Sequence, residues 1–229
     1  MPTMKAITQP LPLAKLSYEK IRNSILNGDL KAGEVYNEMK LAKELGISRT
    51  PVREALLELS VQGLVTFLPR RGIMVNYFTK RDLEEAFEFR KAIELAVMDK
   101  IIKHLEDLNL NNIEKTINSQ QKAAENGDRM AFLGADRFFH TTFAKLAGNR
   151  RMVIALENLR DITHLMGFEA LAKSGRIYEV LDEHRRILEL LRKGQGEEAK
   201  KAMADHLVHS MDAALNHRKF VVDEAQASL

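Results

Sequence analysis

Ile47-Ser48-Arg49-Thr50-Pro51-Val52-Arg53-Glu54-Ala55-Leu56 decides how this chain is read. Ser48 or Thr50 suits the N-cap of a helix and Pro51 suits its first turn, while Val52, Ala55, Leu56 and Leu59 recur at the spacing of one buried face. Arg49 and Arg53 fall one turn apart on the other side, where they are expected to point outward. Outward guanidiniums at a helix N-terminus fit a DNA major groove, because Arg bonds guanine edges bidentately and free backbone N–H groups meet phosphate. Two such arginines alone more often mark a solvated face, so the neighbouring segments must decide.

Upstream, Asn37 to Gly46 reads as a short helix capped by Asn37 and stopped by Gly46. Two short helices meeting at a glycine turn are the layout of a helix-turn-helix, whose second helix enters the groove while the first braces it. Leu16 to Asn27, with Leu16, Ile21, Ile25 and Leu26 at apolar positions, predicts a further helix before them. Downstream, Leu64 to Leu68 and Ile73 to Tyr77 are β-type runs joined by Pro69-Arg70-Arg71-Gly72. Three helices and a basic-tipped hairpin make a winged helix-turn-helix over residues 15–78, preceded by an arm, 1–14, interrupted by Pro2, Pro10 and Pro12. Residues 1–78 hold 11 Lys and Arg against 7 Asp and Glu, a net of +4 where the whole chain has +3, so the basic excess sits on the expected reader.

At 229 residues, 45% hydrophobic and 29% charged, the chain has room for two globular domains. There is no cysteine, which excludes disulfides and thiolate chemistry and leaves His and carboxylate as the only strong metal ligands. No apolar run approaches the ~20 residues of a membrane-spanning helix, and the first residues lack the apolar centre of a signal peptide, so a cytoplasmic location is expected.

From Thr79 onward proline disappears and helical periods follow over 79–104, 109–126, 129–147, 150–172, 175–193 and 196–219. The fold class expected is therefore mainly α, with the winged helix-turn-helix followed by an all-α, six-helix antiparallel bundle over 79–229. Four residues of this bundle stand out as candidate metal ligands: Asp136, His140, His184 and His206. Asp136 and His140 are an i,i+4 pair, so one helix offers a carboxylate and an imidazole on one face. His184 and His206 lie at the edges of the inward stripes of the last two helices. One carboxylate and three imidazoles suit a divalent transition metal such as Zn²⁺ or Ni²⁺, with positions left open; hydrogen-bonded structural histidines are the competing explanation.

The stretch Ile47 to Leu56 closely resembles the reader helix of GntR-family bacterial transcription regulators. The remainder resembles the FCD effector domain of the FadR subfamily in its six-helix, VanR-like version. The resemblance implies that Arg49, Thr50 and Arg53 meet bases and phosphates, and that Arg71 and Gly72 of the wing approach the minor groove. The family often carries an arginine on the preceding helix, in a Glu-Arg-Glu-Leu pattern that reads Glu38-Met39-Lys40-Leu41 here, so Met39 makes no charged contact and operator preference is expected to differ. The FCD metal motif has an aspartate and a histidine four apart and two later histidines about 22 apart, which Asp136, His140, His184 and His206 reproduce. An arginine on the first effector helix faces the ligand pocket in this family; Arg90, in Arg90-Lys91-Ala92-Ile93-Glu94, is the matching candidate for a clamp on a small carboxylate, with an ion pair to Glu94 as its alternative.

The resemblance thus implies a homodimeric regulator that binds a pseudo-palindromic double-stranded operator and responds to a small organic acid bound near the metal, the signal passing through Thr79-Lys80-Arg81-Asp82. Repressor and activator both remain open, as does the set of pocket-lining residues, for which Phe139, Phe143, Phe168 and Tyr178 are candidates. Two rivals stand beside this expectation. One keeps DNA binding but makes the metal itself the signal or a structural staple, and the other is a metal-dependent hydrolase, which the missing His-Glu-x-x-His arrangement disfavours.

Overall fold

A computed structural model describes residues 12–171 and 175–217, and the backbone alone of positions 160–169 and 217. Its contacts divide the chain between Tyr77 and Phe78 into two compact units.

In the first unit α1 (Leu13–Leu26), α2 (Glu38–Leu45) and α3 (Arg49–Val61) surround a small sheet of β1 (Val35–Tyr36), β2 (Val65–Leu68) and β3 (Gly72–Val75). The stripe read from the sequence is the core of this unit: Val52, Ala55, Leu56 and Leu59 of α3 are buried with Ile21, Ile25 and Leu26 of α1 and Leu41 of α2. Leu16, expected on the inward face of α1, is instead exposed. The helix also starts at Leu13, so the expected arm of 1–14 loses its last two residues to α1, while 1–11 lie outside the described residues.

The wing is a β-hairpin, as expected, yet its sheet has a third strand. The order is β1-β3-β2, all antiparallel, with Tyr36 opposite Ile73 and Leu68 opposite Gly72. Gly72 has φ +122°, and a Cβ there would stand 2.2 Å from the Tyr36 carbonyl oxygen. Glycine at this position is therefore what lets β1 close on the hairpin.

The second unit contains α4 (Lys80–Ile102), a 3₁₀ turn at Leu105–Asp107, α5 (Asn111–Glu125), α6 (Arg129–Leu146), α7 (Arg150–Ala170), α8 (Arg176–Arg192) and α9 (Gly196–His217). Thr79 starts α4 with a capping box: its hydroxyl accepts from the Asp82 N–H, and Asp82 Oδ2 accepts from the Thr79 N–H at 2.7 Å. Six helices run where six periods were read. Val97, Met98 and Ile101 of α4, Phe139 and Phe143 of α6, Leu181 and Ile187 of α8, and Met203 and Leu207 of α9 form one continuous core. Among the described residues no helix is long and apolar enough to cross a membrane.

Candidate nucleic-acid interface and candidate metal centre

In the first unit, Asn37 Oδ1 accepts from the backbone N–H groups of Met39 at 2.8 Å and Lys40 at 3.4 Å, fixing the start of α2. Gly46, in the left-handed region at φ +69°, ends it and turns the chain into α3. Ser48 occupies the N-cap of α3, but neither it nor Thr50 provides the expected side-chain cap. The backbone N–H groups at this end are thus left for another partner.

Arg49, Thr50 and Arg53 are exposed on the first two turns of α3, and Arg71 is exposed at the hairpin tip beside Gly72. The two α3 arginines do not simply point outward. Arg49 Nε donates to Glu38 Oε2 at 2.9 Å, and an Nη of Arg53 donates to both Glu38 oxygens at 3.2 and 3.3 Å. The Arg53 guanidinium also lies over the Phe67 ring, 5.8 Å from its centroid. Met39, in the place where the resemblance led us to expect an arginine, is well exposed and lines the same groove as Arg49 and Arg53, and Lys40 is exposed as well.

In the second unit, α6, α8 and α9 bring the three candidate histidines together. His184 Nε2 and His140 Nε2 each lie 3.3 Å from His206 Nε2. Asp136 Oδ1 is 3.7 Å from His184 Nε2 and 3.8 Å from His140 Nε2. Nitrogens bound at ~2.0–2.1 Å to one tetrahedral ion stand about 3.3 Å apart, so the spacing is that of a ligand set. The rings are also held sideways, His184 stacking on Phe139 with centroids 3.7 Å apart and planes 13° from parallel.

Hydrogen bonding fixes which nitrogen faces inward. His140 Nδ1 is 2.6 Å from Glu94 Oε2, His184 Nδ1 is 2.9 Å from Gln120 Oε1, and His206 Nδ1 is 2.7 Å from Glu183 Oε2. Each of these oxygens only accepts, so each Nδ1 carries a proton and each ring, when neutral, turns an Nε2 lone pair to the centre. Three lone pairs at this separation repel one another unless a cation lies among them. The donor set therefore fits a divalent metal, with the outer oxygens setting the tautomers.

For His140 and His184 this environment favours the neutral imidazole. Burial pushes His184 well below the ordinary imidazole value, with the neighbouring His206 and His140 adding to it. Burial likewise brings His140 down to about 4, Glu94 offsetting this only in part and Arg90 reinforcing it. For Glu94, burial opposes the charged form, but His140 and Arg90 outweigh it and hold the carboxyl far below the usual range. Glu183 is brought down to about 2, its burial overcome by hydrogen bonds from His206 and Arg176.

Arg90 is buried, and its Nε donates to Glu94 Oε1 at 2.6 Å. The ion pair held as the alternative is present, and it leaves the Nη groups with no hydrogen-bond partner among the described residues. Among the candidate lining residues, Phe139 and Phe143 are buried and Tyr178 is exposed, while the Phe168 side chain lies outside the described residues. Gln120, Glu183 and Arg176 were not singled out from sequence. Gln120 also donates from Nε2 to Asp136 Oδ1 at 3.4 Å, so it holds two of the four candidate ligands at once.

Comparison with known proteins places both units. Residues 14–75 match the family described as bacterial regulatory proteins, gntR family, and residues 85–209 match the FCD domain. The uncharacterized HTH-type transcriptional regulator YdhC of Bacillus subtilis (strain 168) is 29% identical over 221 residues, spanning 96% of this chain and 97% of that protein. The probable D-xylose utilization operon transcriptional repressor of Paenarthrobacter nicotinovorans is 29% identical over 205 residues, 89% of each chain. Among solved structures, a putative transcriptional regulator GntR from Rhodococcus sp. RHA1 superposes with a TM-score of 0.78 at 21% identity, covering 90% of this chain and 99% of that one.

Proposed function

The chain belongs to the GntR family of bacterial transcription regulators and carries an FCD domain, and from that premise we propose that it is a repressor whose hold on DNA is set by a small carboxylate bound beside a divalent metal. It is a regulator and not an enzyme, as its named relatives are. In this reading Arg49, Thr50 and Arg53 face the major groove and Arg71 with Gly72 the adjoining minor groove of a double-stranded, pseudo-palindromic operator, bound by a homodimer.

The observation that carries the sensing half is the convergence of the His140, His184 and His206 Nε2 atoms, with every Nδ1 proton already committed. Asp136, His140, His184 and His206 would hold Zn²⁺ or Ni²⁺, and such an ion supplies open positions for carboxylate oxygens. Arg90 supports an acidic effector: Glu94 fixes its Nε, and the Nη groups, with no hydrogen-bond partner among the described residues, are donors held in a buried place.

Native mass spectrometry of the full chain tests this reading, because dimer, metal and retained acid each have a distinct mass. A dimer that carries one metal per chain, and that releases its operator when a small carboxylate is added, is the expected result. A chain that takes up neither Zn²⁺ nor Ni²⁺ would overturn the sensing half. Burial of the three histidines also favours a second reading, in which an enclosed metal is itself the signal or a staple. Operator release on chelation, with no response to any carboxylate, would select that reading.

A further inference from the structure

Glu38 is an acidic residue at the centre of a face that should attract polyphosphate. Its side chain is 10% exposed, whereas those of Arg49 and Arg53 are 54% and 52% exposed. It opens α2, where the helix dipole favours a carboxylate. From there it reaches across to α3 and accepts from both arginines, on different nitrogens: Nε of Arg49, and an Nη of Arg53. The Phe67 ring also lies against the Arg53 guanidinium. Glu38, Met39, Arg49, Arg53, Phe67 and Arg71 all line one groove.

We propose that Glu38 is a positioning residue that sets the sequence selectivity of the reader. The inference rests on the reading of Arg49 and Arg53 as base-contacting residues and adds to it what makes them selective. An arginine free on a surface samples many rotamers, and whatever it must give up on binding is lost from the affinity for every sequence. With Nε of Arg49 tied to Glu38, the two Nη groups remain as the fork that matches guanine O6 and N7. With one Nη of Arg53 tied, its Nε and other Nη remain.

The carboxylate acts a second time through its charge. A phosphate drawn into the groove by the arginines meets Glu38 beneath them, so binding through the DNA backbone alone is weakened. One residue therefore strengthens the selective mode by preorganisation and weakens the unselective one by repulsion. The selectivity ratio gains from both.

The test measures the ratio directly. The full-length chain enriches a duplex from a random pool, and fluorescence anisotropy then compares that duplex with a scrambled one of equal length across a range of KCl concentrations. Glu38→Gln keeps the shape and removes the charge, and Glu38→Asp keeps the charge. The expected result is that Glu38→Gln weakens the enriched duplex by about tenfold or more, leaves the scrambled duplex as tight or tighter, and that Glu38→Asp recovers part of the ratio. A merely structural role would weaken both duplexes together, and that outcome overturns the inference. If Arg49→Ala and Arg53→Ala lose selectivity while Glu38→Gln keeps it, the inference fails and the reader assignment stands. If all three keep it, both fail.

Discussion

Glu94 Oε2 and His140 Nδ1 are 2.6 Å apart, and both residues are almost wholly buried. The other oxygen of Glu94 holds Arg90 Nε at the same distance, so one carboxylate joins the candidate effector clamp to a candidate metal ligand. This pairing gives the first prediction. Glu94→Gln keeps the shape but presents either a donor or a weaker acceptor to His140 Nδ1. Changes to such outer partners typically cost about 10–100-fold in metal affinity. Competition with a chromophoric chelator should show a loss of that size, while an unchanged affinity would mean that Glu94 does not orient the ring.

Acid should destabilise the metal-free protein through the same residues. His140 has its value brought from 6.5 to about 4 in the folded chain, so between those limits the unfolded chain binds a proton that the folded one does not. The stabilisation is fully present above 6.5 and is lost as the pH falls towards 4, amounting to on the order of 3 kcal/mol for this one buried group. Glu183, brought down to about 2, adds a further loss below the ordinary carboxylate value of 4.5. Urea denaturation in chelator at pH 7.5, 6, 5 and 4 should give midpoints that fall steadily, and a flat profile from 6.5 to 4 would contradict the neutral-histidine assignment.

Arg90→Lys separates the clamp from the fold. Lysine keeps the positive charge that Glu94 requires, whereas Arg90→Ala would strand a buried carboxylate at a cost of about 3–5 kcal/mol. The planar fork that matches a carboxylate is nonetheless gone. The expected outcome is a weakened response to small mono- and dicarboxylates in an operator-release assay, with metal content unchanged. A full response in this variant would remove Arg90 from the effector site.

What the sequence revealed and what it hid follow from distance along the chain. The buried stripe of α3, the Asn37 cap, the Gly46 stop and the Asp136–His140 pair are all local patterns, set within a few residues by helix geometry. β1 was missed because two residues show no alternation; Val35 and Tyr36 become a strand only by pairing with Met74 and Ile73. The outer partners were missed for a related reason. Gln120 is 64 residues from His184, and Glu183 is adjacent to His184 in sequence yet bonds His206, 23 residues on. The spacing of the metal motif indicated which residues to group, but not which oxygens would orient them. Glu38 belongs to the same class, since its bonds to Arg49 and Arg53 depend on how α2 crosses α3.

Met39 provides the last prediction. Its side chain is exposed beside Glu38, in the groove that also holds Arg49 and Arg53, and the resemblance to the family puts an arginine there more often. A thioether releases no counterion from DNA, whereas each Lys or Arg that neutralises a phosphate steepens the plot of log affinity against log salt by about 0.9. Met39→Arg should therefore steepen that slope by about this amount and tighten binding at low salt. If the added arginine contacts phosphate, the enriched and scrambled duplexes should gain alike, because phosphate contacts carry no sequence information. If it reaches a base, the enriched duplex alone should change, and a fresh selection with the variant should return a different preferred sequence. An unchanged salt slope with an unchanged preference would show that position 39 does not face DNA, and would argue against α2 lying along the backbone.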